Sequence, residues 1–273
     1  MCISLWTQDI LSFLFLLISE TMLLVGICLV VLLQQAAGMS DGTVLSLSTH
    51  HPSVQKEIVN KHNALRRMVN PTASNMLKMS WNRETAKNAE KWAKKCTLSH
   101  SPPSERKISF TGCGENLFMS SNPTSWTDAI QYLYNEVGNF TYGFGRTRAD
   151  AVVGHYTQIV WATSHQLGCA FAYCPEKKLR YYYVCQYCPA GNFVEFMKTP
   201  YKRGKPCGAC PDHCDNGLCT NPCMHVNKYG NCDDLVQIQG CNTKAMKENC
   251  PATCKCPSEI RLKPLQSDVC PQK

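Results

Sequence analysis

The sequence predicts an α+β protein: one packed domain followed by a small module held by disulfides. Three observations carry this. Helical patterns come first and strand patterns follow, with no regular βα alternation. Nineteen of 273 residues are cysteine, a density that belongs to an oxidising compartment, with a multi-zinc protein as the competing reading. The cysteines are also unevenly placed. Residues 39–206 hold six, and residues 207–256 hold ten. Both counts are even, so each part can close internally. The longer part can bury a core. The shorter lies below the ~70–80 residues at which an apolar core alone suffices, and disulfides at roughly 2–4 kcal/mol each would supply the difference.

Residues 10–33 are nearly all apolar, and Gln34-Gln35-Ala36-Ala37-Gly38 follows. This reads as a secretory leader over residues 1–38, cleaved near Gly38. It carries no Lys or Arg, and Met22 is a second possible start. A membrane anchor is the alternative, because the apolar run is long enough to span a bilayer; Glu20 near mid-span argues against it. Without the leader the chain carries 28 basic and 18 acidic residues, net +10. All of that excess falls on residues 39–206, with 21 basic and 11 acidic side chains. Such a surface suits anionic glycans or lipid headgroups, or serves solubility alone. No nucleic-acid recognition motif is visible.

The elements follow in order. In residues 53–69, Val54, Ile58, Leu65 and Val69 recur near helical spacing, and Asn70-Pro71 stops the helix. A second helix spans 83–96, with Asn82 as cap, Glu84 in its first turn, and Ala86, Ala89, Trp92, Ala93 and Cys96 facing inward. A third spans 125–137, with Thr124 as cap and Trp126, Ile130, Leu133 and Val137 inward. Three strands are expected at 155–161, 167–173 and 180–187, the last two as an antiparallel hairpin.

No Gly-rich phosphate loop, HExxH or GxSxG occurs. His100 follows the second helix, Glu115 follows Cys113, Glu136 lies beside the apolar face of the third helix, and His155 opens the first strand. Two His and two Glu suit a divalent-metal site, but as residues in a sequence they could equally be four unrelated surface groups. Asn139-Phe140-Thr141 is the only glycosylation sequon that proline does not block.

Four blocks stand in order: His62-Asn63-Ala64-Leu65-Arg66-Arg67, Gly114-Glu115-Asn116-Leu117, Gly154-His155-Tyr156-Thr157-Gln158-Ile159-Val160-Trp161, and residues 182–193 around Cys185-Gln186-Tyr187-Cys188. With the ten-cysteine tail they resemble the cysteine-rich secretory proteins of the CAP superfamily, and mammalian reproductive-tract and glandular members most of all. The resemblance implies a three-layer α-β-α sandwich (the CAP domain, 39–206), a disulfide-rich hinge (207–222), a small, mostly helical cysteine-rich domain similar to channel-blocking toxins (223–256), and a tail (257–273). It implies the pairs Cys96–Cys174, Cys113–Cys188, Cys169–Cys185, Cys207–Cys214, Cys210–Cys219, Cys223–Cys256, Cys232–Cys250 and Cys241–Cys254. Cys270 is left over. The family's cleft tetrad falls on His100, Glu115, Glu136 and His155, with Zn²⁺ or another divalent cation at the two histidines.

Three functions follow as expectations. The first is a secreted, non-enzymatic binding protein acting on a cell-surface receptor or ion channel, in sperm maturation or sperm–egg contact. The second is a sterol or lipid carrier. The third is a metal-dependent hydrolase using the cleft, for which no positioned nucleophile is identifiable; Ser101 and Ser109 are near in sequence only.

Overall fold

The computed structural model describes residues 22–28, 42 and 45–262. Two compact units are present, Met1–Leu47 and Ser48–Lys273. In the first, residues 22–28 are helical. The expected cleavage site near Gly38, Cys270 and the tail beyond residue 262 lie outside the described residues. Among the described residues, no helix is long and apolar enough to cross a membrane.

The second unit opens with α1 (Pro52–Arg67), which has proline in its first turn and Arg66 and Arg67 in its last, as the helix dipole favours. Strand β1 (Ser80–Trp81) leads into α2 (Arg83–Ala93). Asn82 caps α2, its side chain accepting from Thr85 N–H. Short β2 (Lys107–Ile108) and β3 (Thr111–Gly112) precede the long strand β4 (Gly114–Ser120). Then come α3 (Trp126–Tyr134), the β5 (Phe140–Thr141) and β6 (Gly145–Arg146) hairpin, α4 (Gly154–Ile159), and the paired strands β7 (Gln166–Tyr173) and β8 (Tyr181–Cys188). The main sheet runs β1-β7-β8-β4. β1 is parallel to β7, and the other pairings are antiparallel.

Helix α2 covers one face of the sheet. Ala89, Trp92 and Ala93 pack on Leu117, Ala170, Tyr182 and Val184. Gly168 makes the close approach possible, since a Cβ there would lie 2.1 Å from the Ala86 nitrogen. Helices α1, α3 and α4 pack together around β4 and β7, and Trp126 meets Tyr183 edge-on at 5.1 Å. The result is the expected α-β-α sandwich.

Four local expectations are corrected. Residues 155–161 are not a strand: His155 lies in α4, and residues 156–161 are all buried. Burial on every side removes the polar–apolar periodicity that separates strand from helix, so β-branched and aromatic composition misleads. The cap of α3 is Ser125, whose hydroxyl accepts from Asp128 N–H; Thr124 instead exchanges main-chain hydrogen bonds with the Tyr183 hydroxyl. Helix α3 ends at Tyr134 and tightens into a 3₁₀ turn over Asn135–Asn139, just as α2 stops at Ala93, short of Cys96.

The C-terminal part holds β9 (Cys214–Asp215), β10 (Leu218–Cys219), α5 (Cys232–Gln239), α6 (Lys244–Asn249) and α7 (Pro251–Lys255). The segment after Cys207 docks on the sandwich: Cys207, Cys210 and Cys219 bury against Leu77 and Ile260, and Lys78 N–H donates to the Cys219 carbonyl. Among the described residues, eight disulfides join Cys96–Cys174, Cys113–Cys188, Cys169–Cys185, Cys207–Cys214, Cys210–Cys219, Cys223–Cys256, Cys232–Cys250 and Cys241–Cys254. No group of three or more His, Cys, Asp or Glu among the described residues is placed to hold a metal ion.

Candidate functional site

His100, Glu115, Glu136 and His155 form two His–Glu pairs. Glu115 sits near the start of β4, and its Oε1 accepts from His100 Nδ1 at 2.9 Å and from Ser101 N–H at 2.8 Å. Its Oε2 accepts from the Ser101 hydroxyl at 2.7 Å and from Gln186 Nε2 at 3.0 Å. Arg106 lies 3.8 Å away. Burial alone would raise the Glu115 carboxyl; the donors His100, Ser101 and Gln186 outweigh it and hold the group below the usual carboxylate range.

Glu136 comes from the 3₁₀ turn that ends α3. Its Oε1 accepts from His155 Nδ1 at 2.6 Å, while Oε2 accepts the main-chain N–H groups of His155 at 2.8 Å and Tyr156 at 3.1 Å. Here too burial pushes the carboxyl up, and the His155 ring and these two amides bring it below its ordinary value. Asn116, next to Glu115, links the pairs through the main chain by donating to the His155 carbonyl at 3.0 Å.

Either imidazole could serve as a ligand to a divalent cation. Each ring directs Nδ1 at a carboxylate, which fixes the ring and leaves Nε2 as the nitrogen that can ligate a metal. Glu115 and Glu136 are thus committed to orienting the two rings. Beside the Glu136–His155 pair lies a cavity of about 390 Å³, walled by Leu117, Phe118, Met119, Tyr132 and Leu133.

The structure adds residues that the spacing of apolar side chains missed. His62, Asn63 and Arg66 of α1 are buried. His62 Nδ1 meets the Ile58 carbonyl at 2.8 Å, and its Nε2 meets the Tyr187 hydroxyl at 2.9 Å. Asn116 also donates to that hydroxyl, at 3.3 Å. A polar chain therefore runs from α1 under the sheet to the main chain of His155. The signal in the sequence was the His62–Arg67 block, which the resemblance singles out without assigning its polar residues a role.

Sandwich, paired histidines and disulfides together define a CAP domain with a cysteine-rich extension. The CAP family model, described as the cysteine-rich secretory protein family, matches residues 59–187, and the Crisp model matches residues 207–261. Cysteine-rich secretory protein 2 of Homo sapiens is 56% identical over 221 residues, spanning 81% of this chain and 90% of the human protein. Its Cavia porcellus counterpart is 55% identical over the same shares. The solved structure of NaASP2 with Zn²⁺ superposes with a TM-score of 0.53 at 32% identity, over 62% of this chain and 96% of that one. This chain belongs to the cysteine-rich secretory protein family. Its many disulfides and secretory relatives fit an extracellular protein of the CAP superfamily with a regulatory role. Proteins of this kind are generally non-enzymatic binders.

Proposed function

We propose that this protein is a non-catalytic binder with two working parts. Its CAP cleft takes a divalent cation at His100 and His155 and engages a cell-surface component, while its cysteine-rich module (223–256) engages an ion channel or receptor, in sperm maturation or sperm–egg contact. The observation that carries the binding reading is the commitment of Ser101. Its hydroxyl is buried and donates to Glu115 rather than to an imidazole, so it supports the His100 pair and is not activated as a nucleophile. On the cysteine-rich module, Met224, Val226, Tyr229 and Ile238 stand exposed, Ile238 by 80%, and offer a partner apolar contacts. The apolar cavity beside His155 favours a second reading, carriage of a sterol or lipid.

Calorimetry checks the cleft. The expected result is uptake of about one Zn²⁺ of modest affinity, lost in the His100→Ala/His155→Ala double variant and weakened on acidification, because only neutral imidazole ligates a metal. Equal uptake by the double variant would place the cation elsewhere, with His50 and His51 the first suspects. Turnover on a peptide and ester panel that disappears with His100→Ala would replace binding by hydrolysis. A pull-down from sperm, egg or glandular membranes identifies the partner.

Asn139 is the glycosylation site of this reading. It ends the 3₁₀ turn after α3, and Thr141 of the sequon is exposed. Peptide-N-glycosidase should lower the mass of the secreted protein; an unchanged mass rules the glycan out.

A further inference from the structure

The Arg66 guanidinium is 1% exposed and has no carboxylate partner among the described residues. It spends its donors on main-chain carbonyls instead. Nε and Nη2 donate to Leu77 at 3.0 and 2.6 Å. Nη1 donates to Ile159 at 2.9 Å and Trp161 at 2.8 Å, and Nη2 also reaches Ala162 at 3.0 Å. Ile159 is the last residue of α4, and Trp161 and Ala162 follow it. A helix leaves its final carbonyls without intrahelical partners and carries partial negative charge there. Arg66 answers both needs at once, in a place water does not reach. At the other end of the same six-residue helix, Glu136 accepts the His155 and Tyr156 amides. The helix is therefore held between a buried cation at its C-terminus and a carboxylate at its N-terminus, each matched in sign to the helix dipole.

We infer that Arg66 is a positioning residue for the cleft: by anchoring the C-terminal end of α4 to α1 and to the chain before β1, it sets where His155 presents its ring. Too short for its own hydrogen bonds to define it, α4 depends on what grips its ends. Lysine could keep the charge at this site but not the planar fork that serves four carbonyls. The inference rests on the reading that His155 binds a cation, and its test separates the two.

The experiment compares the full secreted chain with Arg66→Met and Arg66→Lys by zinc calorimetry and by amide hydrogen exchange. The expected result is a loss of about tenfold in zinc affinity for Arg66→Met, the lower end of what displaced supporting groups cost a metal site, with Arg66→Lys in between. Exchange should quicken at Thr157 and Val160 in and just after α4, while β8 keeps its protection. If Arg66→Met is not secreted, Arg66→Lys decides by the same two readings. A folded variant with unchanged zinc affinity and unchanged α4 exchange overturns the inference. So does exchange that quickens equally in α4 and β8 with zinc affinity unchanged, the mark of a purely structural residue. If the unaltered protein takes up no zinc, the cation reading fails by itself, and exchange confined to α4 or spread to β8 then decides the role of Arg66.

Discussion

Mild reduction is expected to unfold residues 223–256 while the sandwich stays folded. Six residues of that module are buried: Cys223, Cys232, Met246, Cys250, Ala252 and Cys256. Four of the six are half-cystines, so its interior is made largely of the disulfides themselves. Its helices have eight, six and five residues, too short to persist unaided. Losing a disulfide from a small secreted domain costs about 2–5 kcal/mol and often abolishes folding. The sandwich instead buries Ile58, Leu65, Trp126, Ile130, Ile159, Leu167 and Val184 among many others. Its Cys169–Cys185 bridge lies inside the β7–β8 pair, at 0% and 4% exposure, where a reductant reaches it only after the sheet opens. Increasing reductant should expose the module to protease and abolish any channel-directed activity while zinc binding survives. Zinc binding that fails at or before that point would mean the two parts do not fold independently.

Acidification is expected to weaken the fold well above the pH at which carboxylates titrate. His62 is buried between Ile58 and Tyr187, and burial brings its imidazole down from the ordinary 6.5 to about 4. Arg66 and Lys61, both cations on the same helix, add to the shift, and burial also lowers His165. Below pH 6.5 the unfolded chain binds a proton at His62 that the native state refuses until pH nears 4. Stability therefore falls as pH falls across this window, by on the order of 3 kcal/mol for His62 at 1.36 kcal/mol per pH unit. Glu115 and Glu136, held below the usual carboxylate range, lose their contribution only at lower pH. Urea unfolding with disulfides intact, at pH 7 and pH 4.5, measures the loss. His62→Gln should cost stability at pH 7 and flatten the dependence between pH 6.5 and 4.5. An undiminished slope in that variant would assign the effect to other groups.

How much was legible in the sequence depended on how local each feature is. The Asn82 cap, the stripe of Val54, Ile58 and Leu65, and the hairpin of β7 and β8 rest on neighbours a few residues apart, and each is where the sequence places it. The division of cysteines into an even six and an even ten sets the cysteine-rich C-terminal extension apart from the segment before it. Pairing was a different matter. Nothing between Cys96 and Cys174 says that they meet; the ordered motif blocks supplied that, by resemblance. His100, Glu115, Glu136 and His155 were legible as residues, but not as two rings each held by its own carboxylate.

The remainder was decided by contacts between distant segments. Residues 155–161 carry the β-branched and aromatic composition of a strand, yet Gly154–Ile159 is helical, because the burial of 156–161, Glu136 at one end and Arg66 at the other outweigh that preference. Arg66 stands in the His62–Arg67 block with no role assigned by the sequence; only the carbonyls of Leu77, Ile159, Trp161 and Ala162, brought together by packing, make its burial possible. Family membership, the cysteine-rich C-terminal extension and the candidate groups are readable in the chain alone. Tertiary structure alone decided which polar side chains are buried and which helix presents His155, because desolvation and hydrogen-bond satisfaction are properties of the packed interior.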